Sequence, residues 1–180
     1  MNEACSLRWK TAAPEHADAL CALVNGAYRG EGSKRGWTTE ADILGGQRTD
    51  GGKVLEMIRA PDSRVELMLD DGTLAGCVHL KREPDGSCYL GMLTIDPGRQ
   101  ARGLGKTLME RSEALARDWG CARMRMTVIS VRDELIAYYE RRGYRKTGAT
   151  EAFPEGDPRF GLPKVAGLRF AELVKPLTAA

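Results

Sequence analysis

Histidine is scarce in this chain, and no long apolar run occurs. Two histidines stand among 180 residues, and the five cysteines (Cys5, Cys21, Cys77, Cys88, Cys121) form no CxxC pair. That pattern argues against a zinc site and a redox dithiol, and the odd count argues against a disulfide framework. No apolar run reaches the roughly 20 residues needed to span a bilayer. The opening MNEACSLRWKTAAPEHADAL carries an acid at Glu3 and no apolar core, so no signal peptide is expected. Charge of one sign is also missing. The chain has 27 cations against 25 acids, a net +2, without the concentrated basic face that nucleic acid requires. These absences point to a cytoplasmic protein with reduced thiols and no metal, nucleic-acid or membrane partner.

What is present fits one globular domain over residues 1–180: 42% hydrophobic and 29% charged residues. Residues 6–11 read as a strand, and Pro14 opens a helix with Leu20, Leu23 and Val24 on one face. A Gly-rich loop, AYRGEGSKRGW, precedes TTEADILGG, which reads as a second helix capped by Thr38 or Thr39 and stopped at Gly45-Gly46. VELMLDDGTLAGCVHLKRE is a hairpin turning at Asp71-Gly72, and CYLGMLTID is a further strand. Leu104, Leu108, Leu115 and Trp119 mark an amphipathic helix ended by Gly120. ARMRMTVIS is a strand and RDELIAYYERR a helix, with Asp133 and Glu134 where the dipole favours them. Strands near 144–153 and 167–174 flank PEGDPRFGLPKV. The order β-α-α-β-β-β-α-β-α-β-β predicts an α/β fold on one mixed sheet.

The stretch DPGRQARGLGKTLMERSEALARDWG sits between a strand and a helix and has the look of a phosphate turn. Three patterns compete for it. A P-loop, GxxxxGK[ST], is met at Gly105, Lys106 and Thr107 but has Gln100 where its first glycine belongs. GxGxxG has Gly103 and Gly105 but ends on Leu108. Q/RxxGxG/A is met in full by Gln100, Gly103 and Gly105. A lone GxG arises about once by chance in such a chain at ordinary glycine usage of roughly 7%; the upstream Gln and the strand–turn–helix setting supply the specificity. The two glycines let the backbone approach a ligand closely, and the N–H groups of the first helical turn, at the positive end of the dipole, suit a pyrophosphate. Arg99, Arg102 and Lys106 add charge at the rim.

With YLGMLTIDPGRQARGLGKTLMERSEALARDWGC and LIAYYERRGYRKTG read in this order, the chain resembles the GNAT superfamily of N-acyltransferases over essentially its whole length. The resemblance implies a GNAT-like fold and acetyl-CoA as co-substrate, its pyrophosphate held by Gln100, Ala101, Arg102, Gly103, Leu104, Gly105, Lys106 and Thr107. It implies a bulged strand at Leu93, Thr94 and Ile95 whose backbone bonds the pantetheine arm, with an N–H polarising the thioester carbonyl. Tyr139 falls on the family's motif tyrosine and is expected to protonate the leaving thiolate; a tyrosine titrating near 10 is neutral at about pH 7 and can donate. Where the family usually has Asn, this chain has Arg132, a candidate phosphate or carbonyl contact.

The acceptor side is less defined. An ammonium must lose a proton before attack, and Glu31, His79 and Tyr89 (the last at the register of a family glutamate) are the candidate bases or water relays. Trp37, Arg159 and Phe160 are candidate walls. The expected activity is N-acetylation of a primary amine by direct attack, since no cysteine is matched to a histidine for a covalent route. A non-catalytic acyl-CoA-binding or regulatory module is the alternative, and a P-loop nucleotide protein a distant third. The acceptor is a small-molecule or peptide amine, and a homodimer is left open.

Overall fold

A computed structural model describes residues 6–178; Glu3 and Cys5 lie outside them. The chain runs through β1 (Leu7–Thr11), a 3₁₀ turn at Pro14–His16, α1 (Ala17–Tyr28), α2 (Gly30–Ser33), β2 (Leu44–Gly45) and α3 (Gly51–Arg59). Then come β3 (Ser63–Asp70), β4 (Thr73–Arg82), β5 (Ser87–Ile95), α4 (Leu104–Asp118), β6 (Arg123–Ile129) and α5 (Asp133–Glu140). β7 (Arg145–Ala152), β8 (Leu162–Pro163) and β9 (Arg169–Pro176) complete the described chain.

The main sheet has the order β1-β3-β4-β5-β6-β9-β7, and β2 pairs with β8 apart from it. Asp71 and Gly72 both take positive φ, 50° and 80°, the geometry of a tight hairpin turn between β3 and β4. The sheet is covered on both faces. Leu108 and Leu115 of α4 and Ile136 of α5 pack with Met68, Leu80 and Met124. Leu20 and Val24 of α1 and Val54 of α3 pack with Val65, Leu67 and Cys77 on the other side. Burial of each such large side chain contributes about 1.5–3 kcal/mol.

The β5–β6 pair positions the site. It is the parallel pair of the sheet, and it holds register only from Ser87↔Arg123 to Tyr89↔Arg125. Past that point β5 shifts register against β4, with His79 opposite Gly91 but Cys77 opposite Thr94. Met92 absorbs the shift at φ 54°, a left-handed value that is uncommon for a side-chain-bearing residue. The bulge turns the end of β5 away from β6 and opens a cleft between them.

The mixed α/β sheet follows the expected order of its long elements, with one relocation and with three short elements, α2 in the expected loop at 27–37 and the paired β2 and β8, that were not expected. Residues 38–46 do not form the expected helix; they form turns and the short β2. The helix lies later, at Gly51–Arg59, where Asp50 caps it by accepting from the Lys53 N–H at 2.9 Å. The reason is tertiary. Glu40 is drawn inside between two arginines, and the Thr38 hydroxyl accepts from Arg132 at 2.6 Å instead of capping a helix.

Candidate functional site

Two cavities meet in the cleft. The larger, about 390 Å³, is lined by the end of β5 (Leu93, Thr94, Ile95), the following turn and the start of α4, together with Trp37 and residues of α5. The turn is rigid for local reasons. Ala101 and Gly103 take φ 63° and 77°, and the Gln100 side chain is held twice: it donates to the Ile95 carbonyl at 3.1 Å and accepts from the Trp37 N–H at 2.9 Å. Any Cβ at Gly36 would collide with that amide, so glycine there lets the 27–37 loop close against the turn. A Cβ at Gly105 would sit 2.8 Å from the Tyr138 hydroxyl.

Gln100, Ala101, Gly103, Leu104, Gly105 and Lys106 all line this larger cavity. Arg102 and Thr107 do not. Arg102 and Arg99 both donate to Asp70, at 3.1 and 2.5 Å, and Thr107 bonds back to the Gly103 carbonyl. The charge facing the cavity instead comes from Lys106, Arg132, Arg141 and Arg142, with no carboxylate among the lining residues. The Nε atoms of Arg132 and Arg142 are buried without a hydrogen-bond partner among the described residues. Arg141 and Arg142 lie inside the stretch LIAYYERRGYRKTG; two adjacent cations within one turn of the motif tyrosine Tyr139 were the available signal. Trp37, expected at an acceptor wall, stands here, its ring 5.2 Å from that of Tyr138, which Arg142 covers at 3.4 Å.

The smaller cavity, about 230 Å³, lies deeper between β5 and β6. Tyr28, Leu93, Arg132, Leu135 and Tyr139 line both cavities and so mark their junction. Tyr139 is 6% exposed, and its hydroxyl makes no hydrogen bond with the described residues. Burial raises its pKa, so the phenol stays protonated. Edge-on contacts with Tyr138 and Tyr144 fix the ring. Tyr28 donates to the Leu93 carbonyl at 2.6 Å.

Beside the junction runs a buried ionic cluster. Glu40 accepts from Arg29 Nε and Arg132 Nη1, each at 3.0 Å, so both carboxylate oxygens are taken. Arg29 also donates to the carbonyls of Gly45, Gln47 and Phe160, which ties the chain segments around the smaller cavity together. Tyr89 lines that cavity with its hydroxyl 3.2 Å from Thr127 Oγ1, and Phe160 lines it as well.

Three candidates lie elsewhere. Glu31 is on the exposed α2, its side chain 88% exposed and paired with Lys34. Arg159 is exposed and paired with Asp157. His79 contacts Ser63 Oγ through Nε2 at 2.8 Å, on the sheet face covered by α3, and desolvation holds its pKa down to about 4. None of the three lines either cavity. The carboxylates that do line the smaller cavity are the buried Glu40 and the exposed Glu151, and Glu151 makes no ion pair or hydrogen bond through its side chain with the described residues. Glu40 comes from a segment remote from both motifs, and Glu151 lies on β7 just past the end of LIAYYERRGYRKTG; neither belongs to a pattern that marks it.

The four described cysteines are free. Burial pushes Cys77 and Cys88 up to about 12, and Cys21 and Cys121 are raised by the same cause. No group of three or more metal-ligating residues occurs among the described residues, and no helix there is long and apolar enough to cross a membrane.

Comparison with known proteins bears on this geometry. A family model described as the acetyltransferase (GNAT) family matches residues 17–144. Over 71 residues the chain is 39% identical to a mycothiol acetyltransferase of Thermomonospora curvata; the match spans 37% of this chain and 24% of that protein. An N-acetyltransferase of Staphylococcus aureus superposes with a TM-score of 0.71 at 14% identity, covering 96% of this chain and 99% of the other. The ribosomal-protein-S18-alanine N-acetyltransferase of Escherichia coli superposes with a TM-score of 0.71 at 14% identity, over 97% and 96% of the two chains. A Salmonella typhimurium protein solved with its cofactor acetyl-CoA gives 0.69 at 17% identity, over 97% and 96%.

Proposed function

Given that the chain belongs to the GNAT acetyltransferase family, we propose that it transfers an acetyl group from acetyl-CoA to a primary amine by direct attack. The observation that carries this reading is the Tyr139 hydroxyl, unpartnered and protonated where the two cavities join. The larger cavity fits acetyl-CoA: a glycine-bearing turn, four lining cations and two unpartnered guanidinium Nε atoms suit a pyrophosphate-bearing ligand. Gln100, Ala101, Gly103, Gly105 and Lys106 hold the pyrophosphate, and the splayed end of β5 at Leu93, Thr94 and Ile95 receives the pantetheine arm. Bound there, acetyl-CoA supplies an activated acyl group as a thioester.

The chain's own residues then manage two protons. The amine, seated in the smaller cavity, forms the new C–N bond as the C–S bond breaks. Tyr139 Oη gives its proton to the departing sulfur. The proton lost by the amine goes to Glu151, directly or through water, because Glu40 has both oxygens committed to arginines. Tyr89, on the wall of the same cavity, is placed for a water relay. Arg132, whose Nη groups are tied to Glu40 and Thr38, positions the junction.

Calorimetry with acetyl-CoA at two salt concentrations, followed by thiol release with an amine panel, tests this reading. Binding is expected to weaken as salt rises, because four cations face the ligand, and thiol is expected to appear with at least one amine. Binding without thiol release for any amine leaves a non-catalytic module; no binding of acetyl-CoA defeats both.

A further inference from the structure

Arg48 reaches the smaller cavity with its charge uncommitted. Its guanidinium lies 5.4 Å from the centroid of the Tyr28 ring and makes no hydrogen bond or ion pair with the described residues. The segment carrying it is held firmly. Asn25 Oδ1 accepts from the Arg48 N–H at 2.7 Å and the Thr49 N–H at 3.0 Å, while Asn25 Nδ2 donates to the Thr49 carbonyl at 3.0 Å. Tyr28, against which Arg48 stacks, is itself bound to the Leu93 carbonyl. A guanidinium is thereby set at a fixed reach from the junction.

The other charges of the cavity define what that cation awaits. Arg29 and Arg132 share the one Glu40 carboxylate, which leaves Arg48 and the exposed Glu151 facing one space without pairing with each other. Two separated and unmatched charges of opposite sign are complementary to a zwitterion. The lining charges sum to +1, which favours a singly charged carboxylate over a phosphate dianion at Arg48. Leu44, Phe153, Phe160 and Phe170 supply an apolar wall for the rest of the molecule. At about 230 Å³ the space suits a small acceptor.

Resting on the transferase reading above, we propose that the acceptor is an amino acid with an apolar side chain, its carboxylate read by Arg48 and its amine directed toward Tyr139 and Glu151. Arg48 is a specificity residue and takes no part in the bond changes.

The test compares L-phenylalanine, L-leucine and L-methionine with their carboxamides as acceptors, in wild type and Arg48→Met, by CoA thiol release. Methionine keeps the stem packed on Tyr28 while removing the fork. A charge-assisted hydrogen bond of about 1.5–3 kcal/mol corresponds to roughly 10- to 100-fold. Wild type should therefore favour at least one amino acid over its carboxamide by that factor in kcat/KM. Arg48→Met should erase the preference, leaving carboxamide rates within threefold and KM for acetyl-CoA unchanged. Arg48→Lys, which keeps the charge without the fork, should fall between and covers the case in which the Met variant does not fold. Carboxamides or simple amines acetylated as fast as the amino acids by wild type would overturn the inference and leave acetyl transfer standing. Acetyl-CoA binding with no thiol release for any amine would defeat the transferase reading itself.

Discussion

The Tyr28 hydroxyl and the Leu93 carbonyl are 2.6 Å apart, and this hydrogen bond ties α1 to the segment of β5 that has left its partner strand. With the Gln100 amide on the Ile95 carbonyl, two side chains hold the splayed end of β5 where β6 would otherwise have paired. The cleft is thus held by contacts within the chain itself.

Replacing Tyr139 by Phe should lower kcat by about 10²–10⁴-fold, the usual worth of a general acid, with KM for acetyl-CoA near that of wild type. The hydroxyl has no protein partner to lose, so the melting temperature should hold. A thiol leaves as its anion above about pH 8.5, and the defect should shrink there. Rates from about pH 6.5 to 9.5 read the effect; a rate within threefold of wild type throughout would assign Tyr139 to packing alone.

Glu40→Ala strips the counter-charge from two buried arginines. Breaking a buried pair in this way costs about 3–5 kcal/mol, which for a chain of this size lowers the melting temperature by roughly 10 °C. A thermal melt showing a drop of less than about 3 °C would mean that water already solvates Arg29 and Arg132.

His79 makes stability depend on pH. Its folded pKa of about 4 lies below the unfolded value near 6.5, so between these values the unfolded chain binds the proton that the folded chain refuses. Stability is fully present above about pH 6.5 and is lost as pH falls toward 4, by about 3 kcal/mol at most. Denaturant titrations at pH 7 and pH 5 should show the loss in wild type and a smaller one in His79→Gln. Equal losses would place the acid-sensitive group elsewhere.

The turn and helix that line the larger cavity were legible in the sequence because their determinants are contiguous. A turn at 100–106 with two glycines, and a tyrosine inside LIAYYERRGY, carry their meaning within a few residues. The smaller cavity was not, because Arg48, Glu40 and Glu151 meet only through the closing of α1, the β2 region and β7 around the cleft. The misplaced helix at 38–46 has the same origin. Local capping signals at Thr38 and Thr39 were outweighed by a carboxylate that folds inward to reach Arg29 and Arg132. Trp37, a candidate wall of the acceptor side, lines the larger cavity beside the turn instead.

The four described cysteines acquire a meaning beside the proposed chemistry. Every turnover would release coenzyme A, a free thiol, into the immediate surroundings of the protein. A chain with ionised sulfurs or strained disulfides would exchange with that product and accumulate mixed adducts. Here burial keeps the Cys77 and Cys88 sulfurs protonated up to about pH 12, with Cys21 and Cys121 shifted in the same direction, and a protonated sulfur is a poor nucleophile for exchange. The packing that fills the core thus also makes these four sulfurs poor partners for exchange with the thiol that the proposed reaction would release.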